Sequence, residues 1–113
     1  MDRQFGVDGE ELQGTLMPVV KRTVTIVHRQ GLHARPAALF VQAAKIFASR
    51  ITVKKGRKIV DGKSIMGLLT LAAGRGARIS IIADGQDAPE ALERLIELVT
   101  TPLAESSEEP RQS

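Results

Sequence analysis

The chain has 113 residues, 42% of them hydrophobic, which is enough apolar material for one compact domain with a modest core and too little for two. It has no cysteine, which excludes a disulfide framework and a thiolate metal site and suits a reducing compartment, so a cytoplasmic location is expected. The net charge of +3 hides an asymmetry: residues 21–78 carry thirteen Lys or Arg against one acid, Asp61, a field that attracts an acidic protein or nucleic acid.

The first twenty residues hold scattered acids and no apolar run of signal-peptide length. No later segment approaches the roughly 20 apolar residues of a membrane span, so no membrane insertion is expected. Residues 22–28 alternate Val24 and Ile26 with Thr23 and Thr25, which predicts a half-buried strand ended near Gly31. From Ala34 the period changes, and Ala37, Phe40, Val41, Ala44 and Phe47 mark one face of a helix running to about Ala48. Ile51 to Lys54 and Lys58 to Val60 flank Gly56 as a hairpin, after which Asp61 and Gly62 turn the chain. Ser64 stands at an N-cap position ahead of Ile65, Met66, Leu68, Leu69 and Leu71, so a short second helix follows, closed by Gly74 and Gly76.

Residues 78–83 place Ile79, Ile81 and Ala83 on one face of a fourth strand and Arg78, Ser80 and Ile82 on the other. Asp87-Ala-Pro-Glu90 is a capping-box-like start for a last helix in which Ala88, Ala91, Leu92, Leu95 and Val99 recur at helical spacing, ended by Pro102. The order βαββαβα predicts an α+β domain: a four-stranded, mostly antiparallel sheet with three helices on one face. Residues 1–19 are expected to be a flexible extension, residues 20–101 the domain, and residues 102–113 a disordered, charged tail.

The chemistry concentrates at Gly31-Leu32-His33-Ala34-Arg35-Pro36, where the first strand gives way to the first helix. His33 falls at the N-cap. The N–H groups of Ala34, Arg35 and Ala37 are expected to lack intrahelical partners, the helix dipole favours an anion there, and Arg35 adds a cation. A neutral imidazole nitrogen is the nucleophile such a site needs, and the same positive end then stabilises a phosphate once attached.

This string resembles the phosphorylation-site motif of the HPr family, the histidine-containing phosphocarrier proteins of the phosphoenolpyruvate-dependent sugar phosphotransferase system. Lys63-Ser64-Ile65-Met66-Gly67-Leu68 resembles the family's regulatory-serine segment at the expected distance downstream, and the similarity spans about residues 20–101. The resemblance implies an open-faced β-sandwich and a carrier that is not itself an enzyme. His33 would receive phosphate from phospho-enzyme I and pass it to sugar-specific enzyme II A domains, with Arg35 assisting. It further implies that an HPr kinase/phosphorylase modifies Ser64, where added charge beside a basic docking face weakens docking. Ile65, Met66 and Leu69 are expected to form the apolar centre of that face, ringed by Arg29, Arg35 and Lys63. No cofactor or metal is expected, and the protein is expected to be a monomer.

The nearest rival keeps the same chemistry in a regulatory phosphorelay for nitrogen or carbon metabolism. A nucleic-acid-binding domain is disfavoured by the absence of Trp and Tyr, which leaves no stacking platform. A self-sufficient hydrolase lacks an acid close to His33 in sequence. Gly62-Lys63-Ser64 imitates the end of a phosphate-binding loop, but position 57, where that motif needs glycine, is Arg. His28, at the expected strand end, reads as a solvated or capping histidine and not as a second carrier. HPr chains start close to their first strand, so Met17-Pro18-Val19 is a candidate alternative start.

Overall fold

Strands and helices follow one another as the residue periods require. The computed structural model describes residues 18–101, with strand β1 (Val19–Thr25), helix α1 (Ala34–Ile46), strands β2 (Arg50–Lys55) and β3 (Lys58–Asp61), helix α2 (Ile65–Thr70), strand β4 (Arg78–Asp84) and helix α3 (Ala88–Thr100). The expected flexible extension, the alternative start at Met17 and the expected tail lie outside these residues, apart from Pro18 and Val19. The sheet order is β1-β4-β2-β3 and every pair is antiparallel, so the domain is an α+β open-faced sandwich.

Period-two alternation decides which sheet face is covered. Ile51 and Val53 on β2 and Ile79, Ile81 and Ala83 on β4 are buried, while their neighbours Thr52, Ser80 and Ile82 are only partly covered. The helices close this face with Phe40, Val41 and Ala44 from α1, Leu68 from α2, and Ala91, Leu95 and Val99 from α3. Full burial of a Phe or Leu side chain contributes about 1.5–3 kcal/mol, so this one layer supplies most of the driving force. Among the described residues, no helix is long and apolar enough to cross a membrane.

Three features depart from the residue patterns. β1 begins at Val19, inside the expected extension, and ends at Thr25 instead of His28, because its partner β4 extends only from Asp84 to Arg78. Beyond Arg78 the partner chain turns, and Ile26 exchanges hydrogen bonds with that turn: its N–H to the Ala77 carbonyl (2.9 Å), its carbonyl from the Gly76 N–H (2.9 Å). α1 stops at Ile46, two residues early, and Phe47 is extended.

The third departure is at Asp87. Its carboxylate does not cap its own helix. It accepts instead from the Ala48 N–H (2.8 Å), the Ser49 N–H (3.0 Å) and the Ser49 hydroxyl (2.5 Å), tying the α1–β2 connection to the start of α3. The Ser49 hydroxyl, followed by the Ala48 amide, holds the Asp87 carboxyl below its ordinary value of 3.8. A carboxylate whose folded pKa is depressed stabilises the fold above its ordinary pKa, and that stability disappears as pH falls through the folded value. In acid titrations below about pH 4, the thermal midpoint of the wild type should therefore fall more steeply than that of Asp87→Asn. Parallel acid limbs would show that the charge on Asp87 is immaterial.

Candidate functional site

His33 is the N-cap residue of α1, with extended backbone (φ −96°, ψ −163°), and its side chain makes no capping hydrogen bond. The ring is half-buried and uncommitted to the helix. Ala34 and Arg35 occupy the first turn, where an amide has no carbonyl one turn back within the helix, and both are exposed. Ala37 departs from expectation: its N–H donates to the His33 carbonyl (2.9 Å), so the first helical hydrogen bond uses this amide and it does not face an incoming phosphate.

A series of backbone bonds sets where His33 stands. The Gly31 N–H donates to the His28 carbonyl (2.9 Å), the His33 N–H to the Gly31 carbonyl (2.9 Å), and the Leu32 N–H crosses to the Ala73 carbonyl (2.8 Å) on the α2–β4 connection. Leu32 is thereby buried while His33, next in the chain, faces outward. The result is a shallow depression lined by Gln30, Leu32, His33, Leu69 and the turn Ala72–Gly74.

That turn is part of the site, and residue periodicity did not reveal it, since Gly74 and Gly76 read only as helix terminators. Ala72 holds a left-handed backbone (φ 51°), a conformation that costs a non-glycine residue about 1–2 kcal/mol. Two lysines steady the strained turn and the helix end before it. The Lys55 Nζ donates to the carbonyls of Leu71 (3.3 Å) and Ala72 (3.4 Å), and the Lys58 Nζ to that of Thr70 (3.1 Å). Part of the basic field of residues 21–78 is thus engaged on the carbonyls at the end of α2 and in the turn that follows.

Ser64 caps α2, its hydroxyl accepting from the Gly67 N–H (3.0 Å). Ile65 and Met66 follow it into solvent, 41% and 71% exposed, whereas Leu69 is half-buried and forms part of the His33 depression. Of the apolar trio, it is Leu69 that reaches the depression beside the histidine. Arg29 is exposed, but Lys63 does not stand on an open rim. It is half-buried, and its Nζ donates to the Phe47 carbonyl (2.8 Å) just beyond α1. His28 is not solvated either: it is 3% exposed and its Nε2–H donates to the Leu98 carbonyl (2.9 Å), so among the two alternatives read from the sequence it is a helix-capping group.

A four-stranded antiparallel sheet covered on one face by three helices, with an uncommitted histidine at the mouth of the first helix, defines a small histidine-bearing α+β domain. The chain belongs to the HPr family: the family model described as "PTS HPr component phosphorylation site" matches residues 20–101. It is 48% identical over 81 residues to the HPr-like protein Crh of Halalkalibacterium halodurans, covering 72% of this chain and 96% of that one. It is 46% identical over 80 residues to the phosphocarrier protein HPr of Haemophilus influenzae, covering 71% and 94%. The solved structure of a phosphocarrier protein HPr from Bacillus anthracis superposes with a TM-score of 0.70 at 48% identity, covering 72% and 96%.

Proposed function

We propose that this chain carries a phosphoryl group on His33, taking it from phospho-enzyme I and passing it to enzyme II A domains in sugar uptake. The observation that carries the reading is the His33 ring at the α1 N-terminus, free of any capping bond. The lone pair of a neutral ring nitrogen attacks the phosphorus, the new N–P bond forming as the bond from phosphorus to the donor's leaving atom breaks; the donor keeps that electron pair, and the other nitrogen of the His33 ring keeps its proton. Such transfer depends on positioning and charge stabilisation, so an exposed site serves once a partner closes over it. Arg35 and the amides of the first turn then face the phosphate oxygens. The test is intact-mass analysis after incubation with phosphoenolpyruvate and enzyme I. An acid-labile phosphate on His33 is expected, and an unmodified chain beside a competent enzyme I would overturn the reading.

Docking is assigned to Ile65, Met66 and Leu69 with Arg29 and Arg35 beside them, in a cytoplasmic protein that acts as a monomer without cofactor or nucleic acid. Solved structures of HPr from Thermoanaerobacter tengcongensis and of Crh are described as dimers, so light scattering at working concentration checks the monomer. Ser64 is the proposed regulatory site, open to an HPr kinase/phosphorylase. Asp also caps helices well, so Ser64→Asp adds charge while keeping the cap, and Ser64→Asn keeps the cap without charge. Titration calorimetry with enzyme I should show Ser64→Asp binding about tenfold more weakly and Ser64→Asn within about twofold of wild type. Equal affinity for all three proteins would remove Ser64 from docking control.

A second reading places the same carrier in a regulatory branch. It is favoured by the 48% identity to proteins named Crh, whose Bacillus subtilis member is described as the catabolite repression HPr. Which enzyme II A proteins accept the phosphate separates the two.

A further inference from the structure

His28 is one of only two histidines in the chain, and the carrier chemistry does not use it. Its ring is buried, with Nε2–H on the Leu98 carbonyl and Nδ1 without a partner among the described residues. A leucine of similar volume would bury no unpaired nitrogen, so the single Nε2 bond is what the histidine adds. That bond joins two places that matter. Leu98 lies in the last turn of α3, whose terminal carbonyls have no partners within the helix. The loop after β1 supplies them: the Val27 N–H reaches the Val99 carbonyl (3.5 Å) and the His28 ring the Leu98 carbonyl (2.9 Å). The His28 carbonyl in turn accepts the Gly31 N–H and so begins the turn that presents His33.

We infer that His28 is a positioning residue for His33. Its ring pins the start of the phosphoacceptor loop to the C-terminal turn of α3, while Leu32 pins the end of the same loop to Ala73. The Ala73 tether is main-chain and nearly independent of residue type, whereas the α3 tether rests on this one side chain and a long amide contact. Without the ring, the loop keeps the Ile26 bonds to Gly76 and Ala77 behind it and the Leu32 bond to Ala73, but the stretch between them loses its side-chain tether to α3 and the imidazole of His33 samples a wider range of positions. Misplacement of a reacting group by about 1 Å costs up to about a hundredfold in rate, whereas docking by Ile65, Met66 and Leu69 on α2 is left alone.

The inference rests on His33 as the phosphoacceptor, and the test separates the two. Wild type, His28→Leu and His28→Gln are compared in steady-state transfer from phospho-enzyme I. Gln carries an amide N–H near the position of the ring Nε2; Leu carries none. The expected result is a fall in kcat of about tenfold for His28→Leu with KM within about twofold, recovery in His28→Gln, and faster hydrogen exchange at Gly31 and Leu32 in His28→Leu alone. An unchanged kcat in a folded His28→Leu overturns the role. So does an equal loss in both variants that tracks their thermal midpoints, which marks a merely structural histidine. If the wild type takes no phosphate on His33, the carrier reading fails first, before any variant is compared.

Discussion

Replacing His33 with alanine should abolish phosphate uptake while leaving the fold intact. Alanine is ordinarily a poor N-cap, but this histidine contributes no side-chain cap to lose, and the bonds that set the loop use its main chain: its N–H to Gly31 and its carbonyl from Ala37. The stability change should stay within about 0.5 kcal/mol, as for substitutions that remove no buried contact. Intact-mass analysis should then show no acid-labile adduct, and because Ile65, Met66 and Leu69 are untouched, the variant should compete with wild type for enzyme I. Residual labile phosphate would have to sit on the other histidine, His28, whose burial and bond to Leu98 argue against access. A variant that unfolds would instead show that the ring carries structural weight that its lack of bonds conceals.

Alanine at Gly31 should do the reverse and damage the scaffold two residues from the chemistry. Gly31 has φ +80°, which alone costs an L-residue about 1–2 kcal/mol. A Cβ there would lie 2.5 Å from the Ala73 carbonyl oxygen and 2.6 Å from the Gly74 Cα, both main-chain atoms that no rotamer change can move aside. Relief requires parting the two loops, which breaks the Leu32 to Ala73 bond and exposes Leu32. A loss of about 2–4 kcal/mol follows, with a thermal midpoint lower by about 10 °C or more for a domain of this size. The fraction still folded should transfer phosphate about tenfold more slowly, since the His33 loop has lost its seat. Circular dichroism melting checks the first effect and single-turnover transfer the second. A midpoint equal to wild type would mean that the loops part without cost.

Much of this architecture can be read from residue order. The inward row Ile79, Ile81, Ala83 and the helical row Ala91, Leu92, Leu95, Val99 are buried as their periods require, because a period of two or 3.6 residues is itself a statement about which side faces apolar neighbours. Ser64 caps α2 for an equally local reason: its hydroxyl reaches an amide three residues on. Asp87 shows where local reasoning ends. It stands at an N-cap position with Glu three residues later, yet its carboxylate serves Ala48 and Ser49, about forty residues away, where three donors outbid one. Lys63, expected on an open rim, is drawn in the same way to the Phe47 carbonyl just beyond α1, and His28, for which a solvated and a capping role were both open, takes the Leu98 carbonyl of α3.

By itself, then, the sequence determined the element order, the covered sheet face, the motif around His33 and the cap at Ser64, since each depends on residues within one turn or one strand pair. Only the tertiary structure decided the β1-β4-β2-β3 strand order, the wall that Ala72–Gly74 builds beside His33, and the commitment of His28, Lys63 and Asp87. Those outcomes turn on which unpaired carbonyl or amide of a distant element comes within about 3 Å, and that is set by packing across the whole core, to which no local spacing rule refers.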